Sequence, residues 1–300
     1  MQTLTELKQQ AQQERNQVVS IANAADEEVL LAVKKAVDQS LCSFLLFGIK
    51  EEIQKMARTV ELDLMKEQIT IIHVDSNPSG AAVKAVHDRK ADILMKGNVS
   101  TKELLKAVLN KESGLRTGGV LSHVALFEIP NQDRLVFLTD AAMNLTPTLQ
   151  EKEQIINNVV QVAQGVNISN PKVAVLAAVE VVNPAMQATI DAALLTQMQK
   201  RNQIKGCTID GPLAFDNAVS RKAANHKNIH SEVAGNADIL MVPTIEVGNS
   251  LYKSFMYFAD AKVAAVISGA KAPIVLTSRT DSSDSKLYSL SLALVSSKTF

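Results

Sequence analysis

Near the end of the chain a short apolar run, Pro273 to Leu276, empties into Thr277, Ser278, Arg279, Thr280, Asp281, Ser282, Ser283 and Asp284 before an apolar-periodic segment begins. A strand that ends in hydroxyls and then starts a helix gathers backbone N–H groups, O–H donors and the positive end of a helix dipole at one point, which is an anion site. Arg279 adds a permanently charged planar fork suited to phosphate or carboxylate. Asp281 and Asp284 are candidate proton acceptors beside it. The competing reading is an ordinary cap with Arg279 in solvent, the commoner use of such residues.

Other strand ends carry similar material. Lys96-Gly97-Asn98-Val99-Ser100-Thr101 joins a glycine that permits close backbone approach to hydroxyls that can cap the next helix. It lacks the paired glycines and Gly-Lys-Ser/Thr ending of a P-loop, so a nucleoside triphosphate site is not expected. Gly114 to His123 is a glycine-rich turn with one arginine, Arg116, followed by Thr117, Ser122 and His123. Asp140 and Asn144 follow an expected hairpin, Asp210 and Gly211 stand at an expected strand end, and Glu246, Gly248 and Asn249 open a helix. His123 is either a proton relay with Ser122 or a hydrogen-bonded strand residue. His226 and His230 have a helical metal spacing but no third ligand at a recognised distance, so no metal site is expected.

Composition narrows the classes. In 300 residues, 31 Lys and Arg balance 31 Asp and Glu, which argues against a broad nucleic-acid or membrane-surface field. With no Trp and 4% aromatics, the core is expected to rest on Ala, Val, Leu, Ile and Met. The first residues lack an apolar signal core and no run reaches membrane-spanning length, so the expectation is a soluble cytoplasmic protein. Cys42 and Cys207 lie far apart in sequence in apolar settings and read as buried free thiols.

The elements that must position these residues alternate. Strands are expected at 18–22, 43–47, 70–74 and 91–95, with helices at 26–37, 50–62, 81–89 and 102–109 between and after them. A hairpin follows at 124–129 and 135–138. Further helices are expected at 150–164 and 184–199, and strands at 173–178 and up to Asp210, then a polar stretch read as a loop through His226 and His230. This is an α/β pattern with parallel sheets, in which ligands bind beyond the carboxyl ends of strands. Ala-Asp-Ile-Leu-Met occurs twice, at 91–95 and 237–241, as one helix-to-strand device used in each half. Two α/β/α lobes are expected, 1–130 plus 272–300 and 131–271, with the ligand in a cleft between them.

In order along the chain, Lys96-Gly97 with Ser100-Thr101, Leu115-Arg116-Thr117-Gly118 with Ser122-His123, Asp140-Ala141-Ala142-Met143-Asn144, Asp210-Gly211-Pro212-Leu213, Val233-Ala234-Gly235 with Ala237-Asp238, Glu246-Val247-Gly248-Asn249 with Tyr252-Lys253, and Thr277-Ser278-Arg279 resemble the motif series of the phosphate acetyl/butyryltransferase family. The likeness runs from about residue 15 to the end and leans to the butyryltransferase branch. It implies a fold like that of the isocitrate and isopropylmalate dehydrogenases, homo-oligomers, and the reaction acyl-CoA plus phosphate giving acyl phosphate plus CoA. CoA is then a substrate and no cofactor is permanently bound. The implied mechanism is direct thiolate attack on the acyl phosphate in a ternary complex, with a carboxylate taking the thiol proton.

Such a transition state sets a developing oxyanion beside a charged phosphate and needs fixed cations and donors. Catalytic roles would fall to Ser278, Arg279, Asp281 and Asp284, phosphate binding to Arg116, Thr117, Ser100, Thr101 and Lys96. Ser122, His123, Asp140, Asn144, Asp210, Gly211, Glu246, Gly248 and Asn249 would line the cleft. The acetyltransferase branch keeps its base seven residues after the motif serine, where this chain has Ser285, so Asp281 is the first substitute and Asp284 the second. Lys106 stands where that branch often has arginine, and cannot make its bidentate contact. Phosphate acetyltransferase is the near alternative. An NAD-dependent decarboxylating dehydrogenase would need acidic metal ligands that the sequence lacks, and a non-catalytic CoA-binding protein would bind CoA without turnover.

Overall fold

The computed structural model describes residues 1–14, 16–130, 132–276 and 282–300. Along the chain the first elements are α1 (Leu4–Ala11), β1 (Val18–Ala22), α2 (Glu27–Asp38), β2 (Ser43–Gly48), α3 (Lys50–Thr59), β3 (Ile69–His73), α4 (Pro78–His87), β4 (Ile93–Lys96) and α5 (Thr101–Val108). Then come β5 (Ser122–Glu128), β6 (Val136–Thr139), α6 (Leu149–Gly165), β7 (Lys172–Leu176), α7 (Gln187–Lys200) and β8 (Thr208–Leu213). The last are α8 (Phe215–Val219), α9 (Arg221–His226), β9 (Ile239–Met241), α10 (Ile245–Phe258), β10 (Lys262–Ser268), β11 (Ile274–Val275) and α11 (Ser283–Ser296).

Two compact units result, one of residues 4–119 with 264–298 and one of residues 120–263. The divisions fall earlier than the 130 and 272 expected. The first has a physical cause: β5 pairs antiparallel with β6, so the whole hairpin goes with the second unit.

In the first unit β3, β2, β1, β4 and β11 lie side by side, all parallel. Strand β11, behind Pro273, is two residues long, shorter than its apolar run suggests, and pairs antiparallel with β10 on its other side. Helix α11 packs against α1, α2 and β11. In the second unit β6, β9, β7 and β8 are parallel, with β5 antiparallel to β6.

The repeated pentapeptide performs one job twice. The Asp92 carboxylate accepts from the Val18 N–H at 2.8 Å while the Asp92 N–H donates to Val18 O at 2.8 Å, fixing β4 against the start of β1. Asp238 does the same with Lys172 at the start of β7, at 2.8 and 2.9 Å. The following isoleucines then fall into equivalent register, Ile93 opposite Val19 and Ile239 opposite Val173.

The strands of each unit bury Val, Ile, Leu and Ala, as the composition requires, but Phe44, Phe127 and Phe137 are also wholly buried. The polar stretch after Asp216, expected as a loop, contains α8 and α9. Its helical start is set by the Ser220 hydroxyl, which accepts from Ala223 N–H. Among the described residues no helix is long and apolar enough to cross a membrane.

Candidate functional site

The first cluster is built where β1 and β4 end side by side. Gly97 N–H donates to Ala22 O at 3.0 Å and Asn98 N–H to Asn23 O at 2.7 Å, while the Asn23 amide returns a bond to Asn98 O at 3.0 Å. A Cβ at position 97 would lie 2.1 Å from Asn23 O, so only glycine allows the two turns to touch. Asn23 itself takes a left-handed φ of 55°, a conformation asparagine tolerates. Sequence reasoning did not single out Asn23, and its position directly after a buried strand was the available signal.

On this platform Lys96 is buried, its ammonium 3.4 Å from Gly97 O. Ser100, not Thr101, caps α5, accepting from Glu103 N–H at 3.1 Å. Both hydroxyl residues are exposed. Lys96, Ser100 and Thr101 are therefore brought together: a buried cation beside solvent-facing donors at a helix amino end, suited to an anion.

Strand β11 runs beside β4 with Val275 opposite Met95, so its carboxyl end comes out next to Lys96. Ser278, Arg279 and Asp281 follow it and lie outside the described residues. The chain continues from Ser282, whose hydroxyl caps α11 by accepting from Ser285 N–H at 3.3 Å. Asp284 does not stand as an unengaged carboxylate: its Oδ1 is 2.6 Å from Lys35 Nζ, which also donates to Ser283 Oγ at 2.9 Å.

Arg116 and Thr117 sit elsewhere in this unit. Arg116 forms a backbone bridge to Ala270, in the turn from β10 to β11, and is thus at the amino end of β11. The Thr117 hydroxyl donates to Gly269 O at 2.6 Å and accepts from Gly119 N–H at 3.3 Å. The hydroxyl of Thr117, expected among the phosphate-binding residues, thus also holds the loop. Arg116 is exposed and, among the described residues, has no carboxylate within ion-pair distance.

The second unit gathers another group where β6 ends and β5 begins. Asp140 is buried, and its carboxylate accepts from the N–H groups of Ala142, Met143 and Asn144 at 2.9, 3.0 and 3.2 Å and from the Asn144 amide at 2.6 Å. It shapes this turn. Asn144 also donates to Leu121 O at 2.8 Å, and Thr139 Oγ1 donates to His123 O at 2.8 Å, tying the turn to the start of β5.

Ser122 Oγ accepts from the Asn158 amide at 2.9 Å, and Tyr252 meets the buried His123 ring edge-on at 5.9 Å. Gly248 lets α10 lie on the turn, where a Cβ would stand 2.4 Å from Asp140 O, and the Asn249 amide donates to Ala141 O at 3.3 Å. Glu246 is exposed on the first turn of α10. A hydrogen bond from the Thr244 side chain, then one from its own backbone, hold its carboxyl below the ordinary range. Asn158 and Tyr252 were not among the expected cleft residues: Asn158 belongs to a helix face that the sequence presents as ordinary, while Tyr252 stood in the motif series with no role assigned.

Asp210 and Gly211 are not part of this group. Strand β8 continues through Gly211 and Pro212 to Leu213 rather than ending at Asp210, with a register shift opposite Ala174 to Leu176. Asp210 Oδ1 accepts from Gly211 N–H at 2.9 Å, a local bond on that strand. Gly-Pro reads as a strand end in a sequence, which is why the end was expected earlier, but β8 is an edge strand, where proline is tolerated. Burial pushes the thiol of Cys207 up to about 11 and that of Cys42 higher still, so neither favours the thiolate. Among the described residues no three His, Cys, Asp or Glu side chains converge as metal ligands.

Comparison with known proteins places this geometry in context. The chain matches the family described as "Phosphate acetyl/butaryl transferase" over residues 72–294. A "Probable phosphate butyryltransferase" of Bacillus subtilis (strain 168) is 55% identical over 288 residues, 95% of each chain. A phosphate acetyltransferase of Thermotoga maritima is 44% identical over 280 residues, 92% of this chain and 94% of the other. The crystal structure of a branched-chain phosphotransacylase from Enterococcus faecalis V583 superposes with a TM-score of 0.82 at 38% identity, covering 94% of this chain and 99% of that one.

Proposed function

Because the chain belongs to the phosphate acetyl/butaryl transferase family, we propose that it moves a short acyl group between CoA and inorganic phosphate, butyryl-CoA plus phosphate giving butyryl phosphate plus CoA. The observation that carries the anion-binding part is the Lys96 to Thr101 platform, with a buried ammonium and a helix amino end beside the outgoing end of β11. CoA enters as a substrate.

In the direction of acyl-CoA formation, the CoA sulfur attacks the carbonyl carbon of the acyl phosphate. The C–S bond forms, the bond from carbon to the bridging oxygen breaks, and phosphate leaves with that electron pair. Asp281 takes the thiol proton. Asp284 is the weaker choice, because the Lys35 ammonium already occupies its Oδ1 at 2.6 Å. Arg279 grips the phosphate through paired N–H donors, and Ser278 donates to the carbonyl oxygen as it gains charge. Lys96, with the hydroxyls of Ser100 and Thr101, offsets the phosphate charge; Arg116, bridged to Ala270 at the amino end of β11, is given no part in this step.

In its own unit the Asp140 turn, with Asn144, Ser122, His123, Gly248 and Asn249, is the group assigned to acyl-CoA in this proposal; the hydrogen bonds that hold the turn support a fixed surface there. Glu246 stands at its edge. A cytoplasmic homo-oligomer is part of the same proposal and is carried by the family resemblance.

The acyl chain separates the two branches of the family. One methylene in an apolar pocket is worth only about 1–3 kcal/mol, so acetyl phosphate formation is the second reading, favoured by the Thermotoga relative. The test is release of free CoA thiol from butyryl-CoA and acetyl-CoA, with and without phosphate. Phosphate-dependent release that is faster with butyryl-CoA supports the proposal. Release from acetyl-CoA alone gives the second reading, and no release from either removes both.

A further inference from the structure

We propose that a cavity at the amino ends of β7 and β9 is a second anion site, one that takes a phosphate monoester of nucleotide size. The cavity, about 560 Å³, is lined by Lys172, Arg221, Asn225, His230, Ser231, Glu232 and Asn236 with Ile229. It lies at the other end of these strands from the Asp140 turn, and none of its residues belongs to the machinery assigned above. Its volume suits a small organic ligand.

What marks the cavity is polar capacity left unused. Among the described residues, the side chains of Lys172, Arg221, Asn225, His230 and Asn236 make no hydrogen bond or ion pair within the protein. Nearby Lys227, by contrast, is paired with Glu180 at 2.9 Å. Two cations therefore line the space with one carboxylate, Glu232, while the Asp238 carboxylate is engaged by the Lys172 backbone N–H behind it. Arg221 supplies a fork for phosphate and Lys172 a point charge. The two asparagine amides and the imidazole can donate to and accept from the polar remainder of a nucleotide.

The frame is held before any ligand arrives. Gly235 takes a φ of +75° and lies so close to Arg221 that a Cβ there would stand 2.5 Å from the Arg221 Cα. Arg134 Nη2 donates to Gly235 O at 3.1 Å, and Gly235 N–H donates to Asn217 O at 2.7 Å. Ser231 Oγ accepts from the N–H groups of Val233 and Ala234 at 3.0 and 3.2 Å. The bond from Lys172 N–H to Asp238 fixes the backbone under the Lys172 side chain. These bonds fix both backbone segments that present the cations, so little ordering entropy is lost on binding.

Calorimetric titration of the full chain with adenosine 5′-monophosphate tests the site. Saturable binding is expected, weakened at least tenfold by Arg221→Ala and by Lys172→Ala and changed less than twofold by Arg116→Ala. Adenosine without its phosphate should give no binding heat, and inorganic phosphate should remain weaker than the nucleotide at this site. Two surface variants are used so that poor folding of one leaves the other to decide. The proposal is overturned by absence of nucleotide binding at millimolar concentration, by equal binding of adenosine, by loss that follows Arg116→Ala, or by binding that survives both cavity variants.

Discussion

Replacing Gly97 with alanine strikes the platform on which Lys96 and Ser100 rest. The new methyl carbon would stand 2.1 Å from Asn23 O and 2.6 Å from Ala22 O, where real contacts do not fall under 3.0 Å. The end of β1 must retreat by about 0.9 Å. That movement overpacks the junction, at about 1–3 kcal/mol. It also stretches the bonds Gly97 N to Ala22 O and Asn98 N to Asn23 O, each worth about 0.5–1.5 kcal/mol. A loss of roughly 2–6 kcal/mol follows, or a fall in Tm of roughly 4–24 °C at about 2–4 °C per kcal/mol.

Turnover should fall on the order of a hundredfold even at temperatures where the variant is folded, because a positioning error near 1 Å has that effect. Thermal unfolding by calorimetry and phosphate-dependent CoA release measure the two effects separately. Gly118→Ala is the control. Its φ is +91° but nothing lies within 4 Å of a Cβ there, so it meets backbone strain without collision, about 1–2 kcal/mol. If Gly97→Ala kept the wild-type Tm and rate, the close junction of β1 and β4 would have no part in building the site.

Gly248→Ala should produce the same pairing of lower Tm and lower turnover from the second unit, because its Cβ would meet Asp140 O at 2.4 Å; a neutral result by calorimetry and rate assay would detach α10 from the Asp140 turn. Lys152→Met should cost about 3–5 kcal/mol by chemical denaturation, since it strands Asp191, which is buried with Lys152 at 2.6 Å. The double variant with Asp191→Leu should recover most of that loss. Cys42 and Cys207 should resist iodoacetamide at pH 8 in the native protein and react once it is unfolded, as read by mass spectrometry. Their folded pKa values are raised by burial, so stability is full below the unfolded value near 9. It should decline above that value, through about 11 for Cys207, as the unfolded chain releases protons that the folded chain retains.

The strand and helix alternation was legible because apolar period and capping chemistry agree: β1 begins and ends where its β-branched run does, and Asp26 caps α2 as its position suggests. Helix α4 begins at Pro78, earlier than its apolar pattern, because Asn77 in a left-handed turn accepts from Gly80 N–H. Two failures have physical causes. Strand β8 runs through Gly-Pro because it is an edge strand, paired on one side only by β7 with a register shift, where proline is tolerated. Helices α8 and α9 are too short and polar to leave a periodic signal.

Within the site, motif order gave residue types but not their engagements. Nothing in the sequence says that Asp140 accepts four bonds, that Thr117 bonds across to Gly269, or that Lys35, far away in the chain, reaches Asp284. The Asp140 bonds run only to residues 142–144 and depend on a turn conformation that spacing does not declare; the other two are tertiary contacts between distant segments, which spacing along one chain cannot encode.

In the proposed mechanism the segment between β11 and α11 runs acyl transfer, with Asp281 rather than the Lys35-bound Asp284 as base. Turnover of butyryl-CoA with phosphate, measured side by side for Asp281→Asn and Asp284→Asn at equal thermal stability, tests it. The account predicts a loss of about a hundredfold or more for Asp281→Asn, within the range of a lost general base, and a change of less than about twofold for Asp284→Asn, as for an exposed ion pair. Wild-type turnover in Asp281→Asn, or the larger loss in Asp284→Asn, would contradict it.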